Sequence, residues 1–136
     1  MRWFFLNIRK WKDFYFFSNV IDKFCYHQID LLNNLRHPNM VQLVGACPEY
    51  GCLIYEYMPN GSLEDRLYCR SNTPPLPWQL RFKISVELAT GLLYLHQMKP
   101  EAFVHRDLKP GNILLGEDFV CKIADVALAR IIPRSK

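Results

Sequence analysis

Asp107, Lys109 and Asn112 stand within His105-Arg106-Asp107-Leu108-Lys109-Pro110-Gly111-Asn112, which sets a carboxylate, an ammonium and a carboxamide along one loop. That combination suits phosphoryl transfer. Asp107 can accept the proton of an attacking hydroxyl, Lys109 can neutralise charge developing on the transferred phosphate, and Asn112 can offer a neutral oxygen to Mg2+. A fourth group follows a short strand signal, where Val120-Cys121-Lys122-Ile123-Ala124 runs into Asp125, whose carboxylate can hold the metal that bridges nucleotide phosphates. A turn merely capped by His105 and Asp107 would share some of these letters, so the surrounding elements must supply the context that a motif needs.

Those elements are legible in order. Ile113-Leu114-Leu115 starts a short hairpin with Gly116-Glu117-Asp118 at its turn. Upstream, the spacing predicts a helix over residues 78–97, with Leu80, Ile84, Leu88, Leu92 and Leu95 recurring at three or four residues and Phe82, Val86 and Ala89 widening the stripe. So broad a stripe predicts burial on more than one side. Met40-Val41-Gln42-Leu43-Val44-Gly45 and Cys52-Leu53-Ile54-Tyr55-Glu56-Tyr57 predict two strands joined by a loop containing Pro48 and Gly51. Ser62 caps the helix that follows, ahead of Glu64 and Asp65. Residues 24–36 predict another helix, stopped by His37-Pro38-Asn39. The first 20 or so residues are crowded with aromatics such as Trp3, Phe4, Phe5, Trp11, Phe14, Tyr15, Phe16 and Phe17, and follow no clean period.

Composition narrows the class. The 136 residues are 50% apolar, which permits a buried core within one domain. The net charge of +4 is modest and its basic residues are scattered, apart from Arg9, Lys10 and Lys12, so nothing points to nucleic acid. Five cysteines show neither C-x-x-C spacing nor a histidine pattern, which argues against zinc and a disulfide framework and predicts reduced thiols in a cytoplasmic protein. The apolar run near Met1 is interrupted by Arg9-Lys10 before reaching membrane-spanning length, and no other stretch is long enough.

The loop from His105 to Asn112 resembles the catalytic loop of eukaryotic protein kinases, and further blocks bring the resemblance closer. Arg36-His37-Pro38-Asn39-Met40-Val41, Gly45-Ala46-Cys47-Pro48-Glu49-Tyr50-Gly51, Tyr55-Glu56-Tyr57-Met58, Asn60-Gly61-Ser62-Leu63-Glu64-Asp65-Arg66-Leu67 and Lys109-Pro110-Gly111-Asn112 look like plant receptor-like cytoplasmic kinases, particularly those joined to a U-box. The resemblance implies an α+β, kinase-like fold, incomplete here: part of the small lobe, the hinge and the first part of the large lobe. Residues 1–23 are then an aromatic-rich segment of unknown fold, and residues 24–136 a partial kinase domain. The cofactors implied are ATP and Mg2+, with Asp107 as base, Lys109 on the phosphate, and Asn112 and Asp125 on the metal. Tyr55 takes the gatekeeper position, the backbone of Glu56 and Met58 faces the adenine edge, and Leu114 forms the floor beneath it. Leu32, Leu43, His105 and Val126 are implied to stack into one apolar column. Lys109-Pro110 is similar to the serine/threonine subclass, and no U-box lies within these residues, so ubiquitin transfer is not implied.

Departures from the family pattern set the functional expectation. No glycine precedes Gly45 and no alanine precedes Ala46, so neither a glycine-rich phosphate turn nor a V-A-x-K strand can lie upstream within this sequence. Gln28 falls where the family has the glutamate that pairs with the strand lysine, Asp30 would point to another face, and Ala127 replaces a glycine after the metal-binding aspartate. The activation segment is not among the residues after Leu128. The expectation is therefore a serine/threonine protein kinase, truncated and weak or inactive as the chain stands. The alternatives are a non-catalytic module that binds a partner protein through the 78–97 helix or the aromatic amino terminus, and a truncated product without an independent role.

Overall fold

The computed structural model describes residues 14–17, 32–47, 52–99, 102–126 and 130–132. The chain separates into two compact units, one comprising Met1–Arg36 and Val41–Tyr57, the other His37–Met40 and Met58–Lys136. The expected loop through Pro48 and Gly51, most of the expected helix over 24–36 with Gln28 and Asp30, and Ala127 fall outside the described residues.

In the first unit, strands β1 (Phe14–Phe17), β2 (Leu43–Cys47) and β3 (Cys52–Glu56) form an antiparallel sheet in the order β1-β3-β2. β2 and β3 are the two strands expected from the alternating apolar residues, although β2 begins at Leu43 and not at Met40. Met40 instead bridges Ile123 within the second unit and is 2% exposed, so its side chain is spent on a different core. Glu56 closes the end of the sheet: its backbone N–H donates to the Gln42 carbonyl at 3.1 Å, while its Oε1 accepts from Gln42 N at 2.7 Å. The partnership of β1 with β3 runs Phe14 to Glu56 through Phe17 to Leu53. Aromatic residues suit a paired strand, and this one holds four of them and no lysine. Residues 32–34 are helical, with Leu32 and Leu35 buried.

The second unit is built on one long helix. Helix α1 (Leu63–Leu67) starts at Ser62, whose hydroxyl accepts from Asp65 N at 3.1 Å as the sequence predicts for an N-cap. Helix α2 (Trp78–Gln97) spans 20 residues and is followed by strand β4 (Ala102–Val104), which pairs antiparallel with β7 (Arg130–Ile132). Strands β5 (Ile113–Leu115) and β6 (Cys121–Ile123) form the expected hairpin, and its turn is tight enough to hold Asp118 and Phe119 at φ of 52° and 55°. Such left-handed values are uncommon outside glycine.

α2 buries Ile84, Gly91 and Leu95 against β4 and β6, with Leu80, Leu88 and Leu92 half-buried. The expected second buried side is different: Trp78, Phe82, Val86 and Leu93 are 70%, 69%, 65% and 54% exposed. Three-to-four spacing fixes which residues share a helix face but not whether a partner covers that face. Leu95, Ile113, Leu115, Cys121 and Ile123, all at most 2% exposed, form the centre of this core.

Candidate active site

The loop between β4 and β5 carries three of the four chemical groups, and its geometry follows from hydrogen bonds that the loop makes with itself. Asp107 Oδ2 accepts from Lys109 Nζ at 2.7 Å and from Asn112 Nδ2 at 2.9 Å. Asn112 Nδ2 also donates to the Asp107 carbonyl at 2.8 Å, so the carboxamide is fixed with its nitrogen turned inward and its oxygen left for another partner. Pro110 opens a short 3-10 turn to Asn112, closed by Asn112 N donating to the Lys109 carbonyl at 2.9 Å.

His105 ties this loop to the end of β6. It is 2% exposed, its Nδ1 accepts from Asp107 N at 3.3 Å, and this leaves the Nε2 hydrogen for the Ala124 carbonyl at 2.7 Å. The Ala124 N–H in turn donates to the Asn112 carbonyl at 2.9 Å. Asp125 therefore follows directly on a residue bonded to the loop at both of its backbone groups. Arg106 and Asp125 bracket the arrangement with φ of 69° and 58°, values that cost a non-glycine residue on the order of 1 kcal/mol and persist where surrounding bonds impose them.

Charge is arranged to keep both members of the central pair ionised. The Lys109 ammonium holds the Asp107 carboxyl below its usual range, with the Asn112 hydrogen bond adding to the effect. Lys109 is pushed upward, chiefly by its hydrogen bond to Asp107 and to a smaller extent by the Asp125 carboxylate. Both side chains are accessible to solvent. In contrast, the Cys121 thiol is pushed up to about 12 by burial first and the Glu87 carboxylate second, which makes it an inert filler of the core.

Oxygen donors at Asn112 and Asp125 fit Mg2+, a hard cation that commonly takes one or two protein ligands and completes its shell with phosphate oxygens and water. No group of three or more His, Cys, Asp or Glu able to hold a metal occurs among the described residues. The site residues expected around the base divide between the units. Met58 and Leu114 share the second unit, where Asn60 N donates to the Leu115 carbonyl and Leu115 N to the Gly61 carbonyl, at 3.0 and 2.9 Å. Glu56 and Tyr55 belong to the first. Of the expected column, Leu32 and Leu43 are buried in the first unit, His105 and Val126 in the second.

Sequence reasoning missed the residues behind the site. Asn39, 6% exposed, donates from Nδ2 to the Cys121 carbonyl at 2.9 Å and accepts from Ile123 N at 2.9 Å. Glu87 on α2 accepts from Cys121 N at 2.7 Å. Gly91 makes room for this contact, since a Cβ there would lie 2.9 Å from Ile123 Cδ1 and 3.0 Å from the Asn39 carbonyl oxygen. A glycine inside the strongest helical pattern was the available signal, because it costs about 1 kcal/mol relative to alanine and so marks a close approach.

Comparison with known proteins places these features in a family. The profile described as "Protein tyrosine and serine/threonine kinase" matches residues 18–136. U-box domain-containing protein 34 of Arabidopsis thaliana is 58% identical over 105 residues, covering 77% of this chain and 13% of that protein. U-box domain-containing protein 35 of the same plant is 52% identical over 115 residues, covering 85% of this chain and 14% of its own length. In Oryza sativa subsp. japonica, U-box domain-containing protein 70 is 45% identical over 108 residues, again covering 13% of the relative. The chain thus spans a small part of the curated relatives it matches.

Proposed function

Because this chain belongs to the protein tyrosine and serine/threonine kinase family, we propose that its β4–β5 loop and Asp125 are phosphoryl-transfer apparatus of the serine/threonine type, and that turnover by the chain as it stands is weak or absent. One observation carries the first part: a single Asp107 oxygen accepts from both Lys109 and Asn112, while His105 and Asn112 bond to Ala124, next to Asp125.

In this reading Asp107 takes the proton from a serine or threonine hydroxyl as its oxygen attacks the terminal phosphorus of ATP, and ADP departs with the broken bond's electron pair. Lys109, already beside Asp107, faces the transferred phosphoryl group. Asn112 Oδ1 and the Asp125 carboxylate would hold Mg2+, which when bound would neutralise charge on the nucleotide phosphates. On the family's pattern, Glu56 and Met58 would offer backbone groups to the adenine and Leu114 an apolar side chain. The protein works in the cytoplasm; no helix among the described residues is long and apolar enough to cross a membrane.

Weak turnover follows from what faces β3. β1 carries Phe14, Tyr15, Phe16 and Phe17 and no lysine to pair with the α- and β-phosphates, and no glutamate precedes Glu49 to hold one. Kinase catalysis is mostly positioning and electrostatics, so loss of that pairing is severe.

A second reading, a non-catalytic interaction module, is favoured by the outer face of α2, where Trp78, Phe82, Val86 and Leu93 are exposed. Ser85 and Thr90 bond back to the Arg81 and Val86 carbonyls at 2.8 Å, so covering their hydroxyls would leave neither without a partner.

Titration of the folded chain with Mn-ATP, read by electron paramagnetic resonance, separates the two. The phosphoryl-transfer reading expects binding that weakens at least about tenfold in Asn112→Ala and in Asp125→Asn. A folded chain with no nucleotide binding would favour the interaction module.

A further inference from the structure

β6 is only three residues long, and three backbone groups on the edge it turns away from β5 find partners outside the hairpin. Cys121 N donates to Glu87 Oε2 at 2.7 Å, the Cys121 carbonyl accepts from Asn39 Nδ2 at 2.9 Å, and Ile123 N donates to the Asn39 carbonyl at 2.9 Å. Glu87 is itself held: its side chain is 20% exposed, and Oε1 lies 3.8 Å from Lys83 Nζ, which also donates to the Asp118 carbonyl at 2.7 Å in the β5–β6 turn. The strand then continues into Ala124, bonded to His105 and Asn112, and into Asp125. Cys121 to Asp125 is a strut of about 13 Å at the rise of an extended strand. One end is fixed by α2 and the other delivers the metal-binding carboxylate.

We infer that Glu87 is a positioning residue for Asp125, acting from α2 through the Cys121 amide and the length of β6. The inference rests on Asp125 as a metal ligand. The bond has a charged acceptor, which makes it one of the stronger kinds, and it is the only one of the three edge bonds supplied by α2. Without it, Cys121 keeps its carbonyl bond to Asn39 and its place opposite Leu115 but loses its tie to α2, and the slack passes along three residues to Ala124. A group that only finished the strand edge would have no effect so far away.

The test compares the full chain with Glu87→Ala, Glu87→Gln and Lys83→Ala by amide hydrogen exchange and by Mn-ATP titration. In Glu87→Ala the amides of Cys121 and Ala124 exchange about tenfold faster or more, with α2 protection retained, and the Kd for Mn-ATP rises about fivefold. Glu87→Gln, whose amide oxygen still accepts from Cys121 N, restores most of both. Lys83→Ala, which leaves the Cys121 bond in place, gives a smaller change of the same sign and serves as the probe if Glu87→Ala does not fold. Faster exchange at Cys121 with Ala124 and Mn-ATP binding unchanged would overturn the inference, as would no change at either amide. If the unmutated chain binds no Mn-ATP, it is Asp125's role as a ligand that fails, and unchanged Ala124 exchange in Glu87→Ala still refutes the coupling while faster exchange still supports it.

Discussion

The Asp107 carboxylate has two donors on one oxygen, Lys109 Nζ and Asn112 Nδ2, and the proposed reading has its other oxygen meet the incoming hydroxyl. A depressed carboxyl in the folded protein contributes stability that is present above its unfolded pKa and is lost as pH falls through the lower folded value. For Asp107, shifted down from 3.8 chiefly by Lys109, that loss lies on the acid side of the ordinary carboxylate range, so its carboxylate is ionised at neutral pH. Lys109→Ala removes the largest cause of the shift. We predict that the Asp107 midpoint, followed by carboxyl carbon NMR during an acid titration, moves up toward the ordinary value in that variant. An unmoved midpoint would mean that the ion pair is not formed in solution. The pair is accessible to water, so it contributes little to stability.

α2 holds β6 through Glu87, and at Gly91 its backbone lies close against Ile123 and Asn39. Alanine is a better helix former than glycine by about 1 kcal/mol, so on an open face Gly91→Ala would stabilise. Here the added methyl would meet Ile123, which is fully buried, and the Asn39 carbonyl, which is held by the Ile123 amide. Neither can yield cheaply. We predict that Gly91→Ala destabilises by about 1–3 kcal/mol in urea unfolding, the usual scale for overpacking a core; a gain in stability would show that α2 is not packed against β6 as described.

The same helix shows what could and could not be read from letters. Its extent, the Ser62 cap and the β5–β6 hairpin were legible, because apolar spacing, capping chemistry and turn residues are local signals. The reach of Asn39 across 82 positions to Cys121, and of Glu87 across 34, was not, since an acceptor for a distant amide leaves no periodic trace. Phe82 and Val86 were legible as apolar and, as part of the widened stripe, expected to be buried, whereas both are exposed alongside Trp78 and Leu93.

At the scale of the molecule, the residues of the proposed site are distributed over two units. The second unit carries Asp107, Lys109, Asn112 and Asp125, while the first carries Glu56 and a sheet whose β1 is Phe14-Tyr15-Phe16-Phe17. Family membership speaks to the fold of such a chain more firmly than to its rate, because catalysis depends on every positioning part being present. The most direct measurement is transfer of labelled γ-phosphate from Mg-ATP to a generic serine/threonine substrate, by the chain and by Asp107→Asn, alongside nucleotide binding by both. The account predicts Mg-ATP binding that survives in both proteins, with transfer at background in both. Transfer well above background that Asp107→Asn abolishes would contradict it, since a chain with no lysine on β1 would then be turning over.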